Sequence, residues 1–262
     1  KMTVFEKKGD RVITLLSSGN LAITQMVRQR INQGFKDAEG AERTIWNVPT
    51  LFDAAQLVGD AVRAVAEREA EALKSAGVEF NLSLILGGQI GVEEPRLFHM
   101  YAAGNFIEAA DENCYFQIGE AKYGKPVLDR LIVPTTPLDT AAKCALVSMD
   151  STMKSNISVG LPIDLLWYPR DSLRVGMQHR IREGDPYFTM LWADDIPKVE
   201  QTQPRARTQR IDRVLRGQDH RDEQETGHDR RDHDVGATGR HAVACIAPAQ
   251  LSAPAPGGNR TS

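Results

Sequence analysis

The residues best suited to chemistry lie at chain reversals. Ser18-Gly19-Asn20 closes an apolar run, Arg11 to Ser17, and opens a helical one. Glycine there frees the backbone for unusual angles, and asparagine caps the helix that follows. The N–H groups of such a turn can also receive a developing negative charge. An ordinary strand-to-helix connection uses the same three residues. Gly119-Glu120 and Lys122 interrupt a strand pattern and place opposite charges on a loop, where pairing is usually solvated and worth little. Ser155 and Ser158 follow a helix end and suit local hydrogen bonding. Gly87-Gly88-Gln89-Ile90-Gly91 superficially resembles a phosphate loop. It lacks the Lys-Ser/Thr pair and opens no helix, so it reads as a turn. His99 and His179 sit in strand patterns and read as satisfied sheet histidines. No metal site is expected: His220, His228, His233 and His241 are irregularly spaced among Asp and Arg, and Cys114, Cys144 and Cys245 lack ligand spacing.

The elements that must position these residues follow from periodicity. In Arg11–Ser17, Ile13 and Leu15 point one way and Val12 and Leu16 the other, so both faces are expected to be buried. Met2 to Phe5 pairs with this strand as a hairpin across Lys7-Lys8-Gly9-Asp10. Ile23, Met26/Val27, Ile31 and Phe35 mark one amphipathic helix; Leu51, Ala55, Val58, Val62, Val65 and Leu73 mark another, ended by Gly77. Strands are expected near Phe80–Leu86, Arg96–Ala102, Phe106–Ala109 and Cys114–Ile118. Helices over Lys125–Ile132 and Leu138–Met153 follow, then strands Ile163–Tyr168 and Arg174–Ile181. Strands in hairpins and helices in pairs do not suit a doubly wound sheet. They predict an α+β fold, a four-layer αββα sandwich with helices outside two stacked antiparallel sheets.

The average composition hides a break. The chain has 262 residues, 41% of them apolar, but the patterning stops near residue 198. Residues 1–198 read as one domain; residues 199–262, mixed-charge and then Pro/Ala/Gly-rich, read as a disordered tail. A net charge of −3 gives no bulk drive toward nucleic acid or membrane, and neither partner is expected. No apolar run is long enough to cross a bilayer, and no signal peptide is evident. Three unpatterned cysteines fit a reducing compartment, so a cytoplasmic protein is expected.

Three stretches together resemble one family. They are Lys1–Lys7 with Leu15–Ala22, then Phe116–Pro126, and then Met149–Pro162. They are similar to the bacterial proteasome-type proteases called Anbu, the ancestral β-subunit branch of the N-terminal-nucleophile (Ntn) hydrolases. The likeness runs from Lys1 to about Met190. The resemblance implies a proteasome β-subunit-like sandwich lacking its first two strands, and a subunit of a self-compartmentalising threonine-type endopeptidase for intracellular protein degradation. It further implies peptide or unfolded-protein substrates, no cofactor, and a homo-oligomeric ring or spiral, without specifying an ATPase partner. In that family an N-terminal Thr is both nucleophile and base. Lys1 falls on the position of the supporting lysine, Ser18-Gly19-Asn20 on the oxyanion and substrate turn, and Gly119-Glu120 on a loop that supplies a supporting serine in related subunits. Ser155 and Ser158 fall on the turn that completes the hydrogen-bond network. The nucleophilic Thr would precede Lys1, and Thr3 lies inside a strand pattern without a free amine. A start upstream of Lys1, and inactivity of these residues alone, are therefore expected. A non-catalytic structural subunit of a proteasome-like assembly is the alternative.

Overall fold

In the computed structural model, residues 1–36, 40–186 and the backbone of 243–246 are described. Strand β1 (Met2–Lys7) pairs antiparallel with β2 (Arg11–Gly19), and β2 runs into helix α1 (Leu21–Gln33). A small ladder, β3 (Phe35–Lys36) with β4 (Glu42–Arg43), precedes helix α2 (Leu51–Ser75). Strands β5 (Leu82–Ile90), β6 (Arg96–Met100) and β7 (Phe106–Glu108) complete an antiparallel sheet in the order β1-β2-β5-β6-β7. Then come β8 (Tyr115–Ile118), helices α3 (Lys125–Leu131) and α4 (Leu138–Ser155), and the pair β9 (Ile163–Trp167) and β10 (Met177–Ile181).

The central strand is buried on both sides, as its pattern requires. Ile13 and Leu15 of β2 join α1 and α2 in the largest apolar cluster, with Leu84 and Leu86 of β5 and Phe98 and Met100 of β6. Leu16, Ile85 and Leu97 face the other way and meet Phe116 and Ile118 of β8. Beyond β8, Tyr115 packs with Leu128 of α3 and Ala141 and Cys144 of α4. Leu146 and Met149 of α4 cover Ile163 and Ile181 of the β9–β10 pair. The layers are thus α1/α2, the five-stranded sheet, a second strand layer, and α3/α4. Each large aliphatic side chain buried this way contributes about 1.5–3 kcal/mol.

Local signals start the helices. Asn20 Oδ1 accepts from the Ala22 and Ile23 N–H groups at 2.9 and 3.4 Å and caps α1. Thr50 Oγ1 accepts from Asp53 N at 3.1 Å and caps α2, while Glu93 Oε1, from the β5–β6 turn, accepts from Leu51 N at 2.7 Å. These bonds satisfy N–H groups that the first helical turn leaves unpaired.

Four features depart from the periodicity reading. Gly87 and Gly88 are not a turn: β5 continues to Ile90, and Gly88 pairs with both Ile13 and Arg96. A Cβ on Gly88 would strike the Val12 carbonyl, so glycine there admits the neighbouring strand. The β3–β4 ladder lies in a stretch read as a polar loop. In the described residues the second strand layer is two separate ladders, β9–β10 and β8 with β11 (Val243–Ile246), not one sheet. Strand β11 falls inside the stretch expected to be a disordered tail; the rest of 199–262 lies outside the described residues.

Candidate functional site

Antiparallel pairing puts the head of β1 against the end of β2. The Lys1 terminal amine donates to the Ser17 carbonyl at 2.6 Å, and the Lys1 carbonyl accepts from the Ser17 N–H at 2.8 Å. Ser17 Oγ donates more weakly to the same carbonyl at 3.4 Å. Lys1 is thereby fixed two residues from Gly19.

The turn after β2 is shaped by Gly19, whose φ is +102°. A Cβ there would lie 2.9 Å from the Asn81 carbonyl carbon and closer still to its oxygen. That close approach lets the Asn20 N–H donate to Asn81 O at 2.9 Å. One of the donors expected at this turn is therefore spent within the protein. Ser18 stands opposite Ser83 in the ladder, and Ser83 Oγ shares a 2.8 Å hydrogen bond with His99 Nε2. The His99 ring packs 5.4 Å from Phe116 and 4.5 Å from Tyr101, centroid to centroid, and burial lowers its pKa. It is the satisfied sheet histidine expected; His179 likewise bonds Asp185 at 3.0 Å.

The other residues meet at the end of α4. Gly119, at φ +82°, turns the chain out of β8, and Glu120 Oε2 accepts from Asn156 Nδ2 at 2.9 Å. Glu120 Oε1 accepts from the backbone N–H of Lys122 at 3.0 Å. The Lys122 ammonium is elsewhere, 5.6 Å from the Tyr123 ring centroid, so Glu120 and Lys122 are not an ion pair. Asn156 Oδ1 accepts from both Ser158 N (2.9 Å) and Ser158 Oγ (2.7 Å). Glu120 and Ser158 are thus joined through one amide, whereas Ser155, the last residue of α4, is exposed.

The expected site residues therefore fall into two groups, Lys1 with Ser18-Gly19-Asn20, and Gly119-Glu120 with Ser158. Sequence reasoning missed Asn156. The Asn-x-Ser spacing at 156–158 is a local signal for an asparagine that folds back on the chain.

Comparison with known proteins places these features in a family. No family model matches the chain, and no curated protein does. Solved structures do. Anbu (ancestral β-subunit) from Yersinia bercovieri is 46% identical over 73% of this chain and 78% of that one, with a TM-score of 0.66. A Gly-1 mutant of Anbu from Hyphomicrobium sp. strain MC1 is 39% identical over 86% of each chain, TM-score 0.65. A helical assembly of the Anbu complex from Pseudomonas aeruginosa is 37% identical over 83% of this chain and 82% of that one, TM-score 0.67. With identity this high across most of both lengths, and helices outside stacked strand layers, the chain belongs to the Anbu family and has its Ntn-hydrolase-like, proteasome-type fold.

Proposed function

We propose that this chain is a subunit of a self-compartmentalising, proteasome-like threonine-type endopeptidase that degrades peptides and unfolded proteins in the cytoplasm as a homo-oligomer. The observation that supports this most is the anchoring of Lys1 on Ser17, two residues from the Gly19 turn. In this reading the Lys1 ammonium favours the ionised form of a threonine hydroxyl, and that threonine's own amine is the base. The Ser18-Gly19-Asn20 turn faces the scissile carbonyl as charge develops on its oxygen. Gly119-Glu120, Ser155 and Ser158 flank the reacting groups.

Thr3 does not supply the nucleophile: it pairs with Leu15 inside β1 and has no free amine. Residues 1–262 provide the setting for the reaction and are expected to be inactive by themselves. The Anbu complex from Pseudomonas aeruginosa forms a helical assembly, and a ring or spiral of identical subunits is the assembly we assign here. No helix among the described residues is long and apolar enough to cross a membrane. Neither nucleic acid, membrane, metal nor cofactor enters the reading.

A second reading, a non-catalytic structural subunit of such an assembly, draws on the commitment of the Asn20 N–H to Asn81. Expression of the parent reading frame, including whatever it encodes ahead of Lys1, separates the two. A mature end that begins with Thr, and peptide cleavage lost on Lys1→Ala, is the outcome expected of the peptidase. A frame without that Thr, assembling but cleaving no fluorogenic peptide, establishes the structural subunit instead.

A further inference from the structure

We propose that Asn156 is a positioning residue that aims Glu120 and Ser158 at the reacting groups; this deepens the peptidase reading and rests on it. Asn156 ends α4 in an extended conformation, φ −140° and ψ 109°. Its backbone is held from both sides: its N–H donates to Thr152 O at 2.9 Å, and its carbonyl accepts from Val159 N at 3.0 Å. The side chain has little freedom left. Its NH2 meets the Glu120 carboxylate and its oxygen meets the Ser158 N–H and hydroxyl. Those partners fix the amide's orientation, because a carboxylate requires the NH2 and an N–H requires the oxygen.

The chemical consequence is a division of roles. With the Ser158 hydroxyl proton committed to Asn156, the remaining capacity of that oxygen is as an acceptor, and its natural partner is an ammonium or amine. Glu120, bonded at one oxygen by Asn156 and at the other by Lys122 N, is held as an oriented carboxylate rather than a mobile surface charge. Asparagine is the side chain that does both, since it offers a donor and an acceptor in one plane. Aspartate has the same shape but no donor when ionised.

The test compares Asn156→Ala, Asn156→Asp and Glu120→Ala in the assembled protein expressed from its parent reading frame. In a fluorogenic peptide assay, Asn156→Ala lowers kcat about tenfold or more and changes KM less than about twofold, the pattern of a lost transition-state contact. Asn156→Asp sets a second carboxylate against Glu120, the charged side chain it contacts; Lys154 and Asp150 pair with each other, 3.4 Å apart, one turn back on α4. Its activity is low near neutral pH and recovers as pH falls into the carboxylate range, a pH profile that a merely structural asparagine would not give. Urea unfolding of Asn156→Ala, Glu120→Ala and the double variant gives a non-additive cycle, read without any activity. An unchanged kcat in Asn156→Ala, an Asn156→Asp pH profile like the parent's, or an additive cycle overturns the proposal. Inactivity of the parent itself, beside a non-additive cycle, overturns the peptidase reading instead.

Discussion

Gly19→Ala tests the close approach that shapes the turn after β2, and Gly9→Ala is its internal control. Both glycines have positive φ, +102° and +78°. Both substitutions therefore carry backbone strain of about 1–2 kcal/mol, offset by about 0.4–1 kcal/mol from a less flexible unfolded chain. The two differ in surroundings. A Cβ at Gly9 meets nothing within 4 Å, whereas one at Gly19 lies 2.9 Å from the Asn81 carbonyl carbon. Backbone cannot rotate aside as a side chain can, so the end of β2 must move away from Asn81. That movement breaks the 2.9 Å bond from Asn20 N, worth about 0.5–1.5 kcal/mol, and adds overpacking strain of about 1–3 kcal/mol. Gly19→Ala is therefore expected to be less stable than Gly9→Ala by about 2–4 kcal/mol. Urea unfolding, with the two midpoints compared at a common slope, measures the difference. A gap below about 0.5 kcal/mol would refute the argument, because it would mean that the turn accommodates a side chain without losing its contact with Asn81.

Three further outcomes follow from the same geometry. Gln89 is buried and joins β5 to the β9–β10 connection: Nε2 donates to Asp171 Oδ1 (2.7 Å) and Glu93 O (2.8 Å), and Oε1 accepts from Asp171 N (2.9 Å) and from the Tyr168 hydroxyl. Gln89→Leu should cost about 2–3 kcal/mol through the partners left unpaired, with amide exchange faster at residues 168–176; unchanged exchange would show that other contacts hold the connection. Asn20→Ala removes the α1 cap and should cost about 1 kcal/mol in denaturant unfolding, against almost nothing if water replaces the cap. Tyr115 donates to Asp129 Oδ1 at 2.5 Å, and burial, then that bond, pushes its hydroxyl pKa well above the ordinary value. A raised pKa means the folded state holds the proton more tightly, so this stabilisation is complete below pH of about 10 and is lost as pH rises through the folded value. In ultraviolet absorbance titration, Tyr115→Phe should lose one late-ionising tyrosine step relative to the parent; Tyr168, also raised by burial, should keep its own.

Sequence patterning made the layers legible because burial leaves a periodic trace. The opposed faces of β2, Ile13 and Leu15 against Leu16, could be read directly and are divided between two clusters. The Asn20 cap and the apolar stripe of α2 were equally local, and both stand as read. Gly87-Gly88 was misread because glycine marks both a turn and a strand that another backbone approaches closely, and the one-dimensional pattern is the same for each.

What the sequence determined by itself is the main helices and strands, the family motifs and the residue types available for chemistry, since these depend on neighbours within a few positions. What only the tertiary structure decided is which groups meet. It placed Lys1 on Ser17, spent the Asn20 N–H on Asn81, and joined Glu120 to Asn156. Such pairings are long-range, and a hydrogen bond needs donor and acceptor within about 3 Å at the right angle; residue spacing along the chain carries no record of that distance.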